Sequence, residues 1–188
     1  MKSVSRIAVL GLGYVGLPLA VALARYFRVT GHDIDSSRIS ELRAGQDRTR
    51  EVSNEVLESS DLQLADSIED LKGTDLFIVA VPTPVDAINR PDLKALEKAS
   101  QAVGSVLAKG AVVVFESTVY PGVTEEFCGP IIETASGLRS GVDFFLGYSP
   151  ERMNPGDKEH SLERITKVVA GQTPEVETIM QDIYGRLN

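Results

Sequence analysis

Residues 7–16 read Ile-Ala-Val-Leu-Gly-Leu-Gly-Tyr-Val-Gly, and the next strand-like run, 28–33, closes on Asp33. An apolar strand therefore runs into Gly11-x-Gly13-x-x-Gly16. Helical spacing follows at Val15, Leu19, Ala22 and Leu23. Each piece has a job in holding a dinucleotide. Gly11 permits a tight turn, Gly13 carries no side chain to block a pyrophosphate, and Gly16 lets a helix pack close to the strand. The helix N-terminus offers free N–H groups and the positive end of its dipole to phosphates. An acid at position 33 accepts hydrogen bonds from ribose hydroxyls and repels a 2′-phosphate, which favours NAD over NADP.

The 188 residues are enough for one domain and the beginning of another, and 43% apolar residues can form a substantial core. The formal charge is −8, from 27 acidic and 19 basic residues, with no Lys/Arg block, which argues against a nucleic-acid partner. No run of 18 apolar residues points to a membrane span, and with the first strand expected from residue 6 no signal peptide is expected. The single cysteine, Cys128, excludes an internal disulfide and fits a reducing compartment, so a cytoplasmic location is expected.

Apolar runs alternate with helix-like segments, the pattern of a parallel sheet covered on both faces. The expected class is α/β, a Rossmann-like doubly wound, mostly parallel sheet. Strands are expected at 6–10, 28–33, 62–65, 75–81, 111–116, 143–147 and 166–170. Helix 1 is expected over Tyr14–Phe27. Ser36 or Ser37 would cap a second helix, and Asp92 a third ending near Gly110. Another helix follows Pro121-Gly122. Thr173-Pro174 opens a last one, with Val176, Ile179, Met180, Ile183 and Leu187 on one stripe. A stripe that long needs a partner, found in a region beyond the chain, on the sheet itself, or in both. The expected division is therefore an NAD-binding domain over 1–173 and, over 174–188, the start of a helix leading to a further region.

Ligands in such sheets sit beyond the carboxyl ends of the strands. Three further segments fall there. Val81-Pro82-Thr83-Pro84 gives a stiff wall with one hydroxyl. Glu116-Ser117-Thr118-Val119-Tyr120-Pro121-Gly122 gives two hydroxyls and a carboxylate, although Ser and Thr also cap helices. In Ser149-Pro150-Glu151-Arg152-Met153-Asn154-Pro155-Gly156, Glu151 can serve as an acid or base and Arg152 can bind a phosphate or carboxylate. A solvated surface pair is the alternative for these last two.

In that order, the four segments resemble the UDP-glucose/GDP-mannose dehydrogenase family, over nearly the whole chain. The resemblance implies oxidation of a sugar C6 alcohol to a carboxylate, with two NAD molecules reduced in turn through a cysteine-bound thioester. It implies that Gly11, Gly13, Tyr14, Val15 and Gly16 cradle the pyrophosphate and that Asp33 binds the ribose. Arg38, near the adenine edge, is the next cofactor contact. Pro82, Thr83 and Thr118 approach the nicotinamide side, Thr118 also placing the hydrolytic water. Glu151 would be the acid/base of hydrolysis, and Glu151 and Arg152 would meet substrate. A homodimer, formed through a region outside this chain, is also implied.

The family's nucleophilic Cys-x-Pro-Lys-Asp motif does not occur in these residues, so the chain alone is expected to bind NAD without turnover. Cys128, in Glu-Glu-Phe-Cys-Gly-Pro, does not match it and reads as a small buried residue. Ser-Pro-Glu-Arg-x-Asn-Pro-Gly-Asp-Lys-Glu-His resembles the branch acting on UDP-N-acetylhexosamines, which serve bacterial capsule or O-antigen synthesis. A UDP-glucose 6-dehydrogenase and a non-catalytic NAD-binding module are the alternatives. His32 and His160 lack metal-ligand company, and no metal is expected.

Overall fold

The computed structural model describes residues 3–151 and 167–187. In chain order the elements are β1 (Arg6–Leu10), α1 (Gly16–Ala24), β2 (Arg28–His32), α2 (Ser36–Arg43), α3 (Asn54–Glu58) and β3 (Gln63–Ala65). A short 3₁₀ turn (Ile68–Leu71) leads to β4 (Leu76–Val79). Then come α4 (Lys94–Val106), β5 (Val112–Phe115), a π-helical turn (Val123–Cys128), α5 (Gly129–Ser136), β6 (Phe145–Tyr148), β7 (Ala170–Gly171) and α6 (Pro174–Gly185). The strands form one sheet in the order β3-β2-β1-β4-β5-β6-β7. Every pairing is parallel except β6–β7.

Alternation along the central strands divides the core in two. Ile7 and Val9 of β1, Leu76 and Ile78 of β4, and Val112 and Val114 of β5 face α1 and α6. Ala8 and Leu10, Phe77 and Val79, and Val113 and Phe115 face α4 and α5. Both sets are buried, which is why these strands are continuously apolar. The last helix does pack back: Val176, Met180, Ile183 and Tyr184 are buried in the same core as α1. A Cβ on Gly147 of β6 would stand 2.5 Å from Met180 Sδ, so α6 lies directly on the sheet. Among the described residues, no helix is long and apolar enough to cross a membrane.

Several boundaries differ from expectation for local reasons. Helix 1 is trimmed at both ends, to Gly16–Ala24. Residues 11–15 form the turn instead, with Gly11 at φ +88 and its N–H bonded to the His32 carbonyl at 2.9 Å. Asp35, rather than Ser36 or Ser37, caps α2, accepting from the Ser37 N–H. Asp92 accepts from the Lys94 N–H, but Leu93 is the residue before α4, which ends at Val106, short of Gly110. The helix after Gly122 begins as a π turn, because Pro130 has no N–H and its ring would strike the Glu126 carbonyl in an α continuation. The last strand is confined to Ala170–Gly171, and residue 166 lies outside the described residues.

Candidate NAD-binding site

β1 lies between β2 and β4, so the connections leaving β1 and β4 part in opposite directions and open a crevice at their carboxyl ends. A cavity of about 450 Å³ occupies it, bounded by Gly11, Asp33, Ile34, Val81, Pro82, Ala95 and Lys98. This volume is within the usual range for a small-molecule site.

The three glycines do three different things. A Cβ on Gly11 would meet the Ala80 carbonyl oxygen at 2.7 Å, and one on Gly16 would stand 1.9 Å from the Gly11 carbonyl oxygen. Both hold the turn against its neighbours. A Cβ on Gly13 would meet nothing within 4 Å. Gly13 is therefore not required by packing within the protein, and the space over it is open to a ligand. Directly beyond it, α1 starts at Gly16 with no side-chain cap among the described residues and no acid in its first turn. Leu17 and Leu19 already donate to the Gly13 and Val15 carbonyls and Pro18 has no N–H, so the Gly16 N–H and the helix dipole are what α1 itself offers an anion. Val15 is buried and Tyr14 half exposed, so at Val15 only the backbone can face a ligand.

Asp33 is held in place by the backbone. Its Oδ2 accepts from the Leu12 N–H at 2.8 Å, and its Oδ1 accepts from the Asp35 N–H at 2.9 Å. Each oxygen keeps a second lone pair for a ribose hydroxyl. Beside it, Ile34 is 82% exposed, an apolar flank for a planar base. The pieces suit an adenosine diphosphate: an open glycine, an uncapped helix start, an oriented carboxylate and an apolar wall. Asp33→Ala is expected to weaken NAD binding by about 1–3 kcal/mol, the scale of lost hydrogen bonds to a charged group. Calorimetry measures it, and unchanged affinity would remove the ribose role.

Arg38 is tied into the protein on every side of its guanidinium. It is only 4% exposed and does not border the cavity. Its Nε donates to the Leu12 carbonyl at 2.9 Å, its Nη1 to Glu41 at 2.7 Å and its Nη2 to Asp47 at 2.6 Å. The guanidinium thus braces the glycine turn against Glu41 and Asp47. Asp47 in turn accepts from Thr49, Glu51 and Val52 N–H groups, so the brace also shapes residues 47–52.

The remaining strand-end segments converge. Thr83 Oγ1 donates to the Thr118 carbonyl at 2.7 Å, and Ser117 Oγ donates to the Val81 carbonyl at 2.6 Å. The loops after β4 and β5 are thus stitched together, and Pro82 and Thr118 are exposed. Glu151 follows β6 at the same end of the sheet, close enough for its charge to act on buried Glu116. Arg152 and His160 lie outside the described residues. His32 Nδ1 lies 3.1 Å from the Ala65 carbonyl, tying β2 to β3.

Two residues that sequence reasoning did not single out are Lys167 and Tyr184. Lys167 Nζ pairs with Glu116 Oε2 at 2.6 Å, and its ammonium lies 5.7 Å from the centre of the Tyr184 ring. Nothing local in the sequence marks them, because their partners come from distant elements. Cys128 is buried away from the crevice. Burial pushes its thiol up to about 11, and the nearby Ser100 hydroxyl only partly opposes that. At pH 8 roughly one thiol in a thousand is then ionised, so iodoacetamide is expected to label the folded protein at least 10-fold more slowly than the unfolded chain. Equal rates would contradict the burial.

The sequence model of the UDP-glucose/GDP-mannose dehydrogenase family, NAD binding domain, matches residues 5–188, and the chain belongs to that family as an NAD-binding domain. It is 56% identical to protein CapL of Staphylococcus aureus over 95% of this chain and 42% of that protein. It is 53% identical to the UDP-N-acetyl-D-glucosamine 6-dehydrogenase of Pseudomonas aeruginosa, over 95% of this chain and 43% of that one. The solved UDP-D-ManNAc dehydrogenase of Pyrococcus horikoshii superposes with a TM-score of 0.87 at 38% identity, covering 97% of this chain and 44% of that chain. The chain thus spans less than half the length of the relatives it matches.

Proposed function

We propose that this chain is the NAD-binding part of a nucleotide-sugar 6-dehydrogenase. It would oxidise the C6 alcohol of a UDP-N-acetylhexosamine to the carboxylate in two NAD-dependent steps, for bacterial surface polysaccharide synthesis. The reading places the enzyme in the cytoplasm and, following the family resemblance, in a homodimer. The observation that carries it is the convergence of the Gly11–Gly16 turn, Asp33, the stitched Thr83–Thr118 loops and Glu151 at one end of the sheet. The 53% identity to a UDP-N-acetyl-D-glucosamine 6-dehydrogenase supports the sugar class.

Bound NAD would supply the hydride acceptor for oxidation at the sugar C6. The protein's part is to hold and orient. Backbone N–H groups from Gly13 to Gly16 meet the pyrophosphate, and Asp33 takes the ribose hydroxyls. Pro82 and Thr83 wall the nicotinamide side. Thr118 orients a water, and Glu151 moves a proton to or from it during hydrolysis. Arg152 meets an anionic group of the substrate.

The test is direct. The full-length protein is expected to form two NADH per UDP-N-acetylglucosamine, UDP-N-acetylgalactosamine or UDP-N-acetylmannosamine. Residues 1–188 alone are expected to bind NAD and form none. Turnover of UDP-glucose alone would select the alternative dehydrogenase. NAD binding by the full-length protein without oxidation of any of these sugars would select the non-catalytic module.

A further inference from the structure

Glu116 is left over by the cofactor site, yet it is the most deeply buried carboxylate at the crevice end among the described residues. It follows β5 directly and precedes Ser117 and Thr118. Its side chain is fully buried, and that of Lys167, its partner at 2.6 Å, is 4% exposed. Lys167 lies just before β7 and also faces the ring of Tyr184 on α6. Three separate elements therefore meet at one buried charge pair beneath the strand-end loops. Burial pushes the Glu116 carboxyl up, and the neighbouring Lys167 ammonium opposes that shift. The charge of Glu151 acts on both Glu116 and the Tyr184 phenol.

Such a pair is a poor way to gain stability, since apolar residues of the same shape often do as well. What it does supply is a single geometry: a buried carboxylate and ammonium are satisfied only when their backbones stand in one relation. Here those backbones lead into Ser117-Thr118 on one side and, on the other, into β7, which pairs with the end of β6 from which the chain runs on to Glu151. Ser117 and Thr118 are bonded onward to Val81 and Thr83, so the arrangement extends to the loop after β4.

We propose that Glu116 and Lys167 are positioning residues: their buried ion pair sets the Ser117–Thr118 loop in register with Glu151 at the reactive end of the sheet. The proposal rests on the dehydrogenase reading given above. Lys167→Met alone strands a buried carboxylate and is expected to melt far below the parent protein. The double variant Glu116→Gln/Lys167→Met therefore carries the test, made in the full-length protein. It removes both charges and keeps the volume. It is expected to melt within a few degrees of the parent, with kcat lowered at least 30-fold and KM for NAD within threefold. Lys167→Arg, which keeps the charge, is expected to recover most of kcat. Hydrogen exchange supplies a readout independent of activity. Amides of 116–118 and 149–151 should exchange at least 10-fold faster in the double variant, with β1 and β4 unchanged. Parent-like kcat in a well-folded double variant overturns the proposal, and so does unchanged exchange in those two segments. If the parent protein oxidises no nucleotide sugar, it is the dehydrogenase reading that fails, and the exchange measurement alone decides whether the pair sets the loop.

Discussion

Gly16→Ala is expected to destabilise the protein by about 3 kcal/mol or more, at the top of the overpacking range, while Gly13→Ala, three positions earlier, leaves stability unchanged and abolishes tight NAD binding. The contrast follows from what a methyl group would meet. At Gly16 it would stand 1.9 Å from the Gly11 carbonyl oxygen, a backbone atom in a turn with no freedom to retreat. At Gly13 it would enter open space. Gly13 has no positive φ, so alanine fits its backbone and trims the freedom of the unfolded chain, a small gain if anything. The pyrophosphate, however, must approach that backbone closely. Affinity is expected to fall on the order of 100-fold, or about 2.7 kcal/mol. Thermal melts and calorimetry on the two variants separate the effects. Parent-like NAD affinity in Gly13→Ala would mean that the cofactor does not cross the turn there.

Arg38→Met is the second large effect. The guanidinium satisfies the Leu12 carbonyl, Glu41 and Asp47 at once, all at low exposure. Removing one partner of a buried pair typically costs about 3–5 kcal/mol, because the other charge stays behind. For a domain of this size that corresponds to a melting shift of roughly 10 °C. Burial pushes the Asp47 carboxyl up, but hydrogen bonds from Thr49, Arg38 and Val52 outweigh it and hold the group below the usual range. A carboxyl depressed in the folded state adds stability above its unfolded pKa and loses it as pH falls through the folded value. Without Arg38 the folded pKa rises, so the variant should unfold at milder acid than the parent. A side chain serving only as an adenine contact would behave otherwise: affinity would fall while the melt and the acid limb stayed put. That outcome would leave Arg38 a cofactor contact with no part in holding the fold.

The contrast between Arg38 and Asp33 shows what a sequence can carry. Asp33 is legible because its job is local, at a fixed remove from a glycine turn that itself ends an apolar strand. Arg38 sits on a short helix whose pattern says only that one face is covered. Its partners, a carbonyl at Leu12 and a carboxylate at Asp47, are chosen by how that helix lies on the turn. Lys167 is illegible for the same reason, since it meets Glu116 only across the completed sheet. The central strands announced themselves because both faces are buried and their side chains are uniformly apolar. Ala170–Gly171, too short for any period, is a strand only because Gly147 and Tyr148 lie opposite it. The π turn was hidden in Pro130, whose proline reads equally well as the start of a new helix.

The sheet order has a consequence for how the chain reaches its native state. Ile7 must find Leu76, and Val112 must find Phe145, before the central ladders exist. No two adjacent parallel strands are joined by a hairpin, so each pairing waits on closure of a long loop whose entropy is lost before the ladder repays it. Refolding is accordingly expected on the slow side for a domain of this size. During that wait Leu76–Val79 and Val112–Phe115, eight uncharged apolar residues with strong strand propensity, stay open to pairing with other chains. Yield on refolding should fall steeply as protein concentration rises.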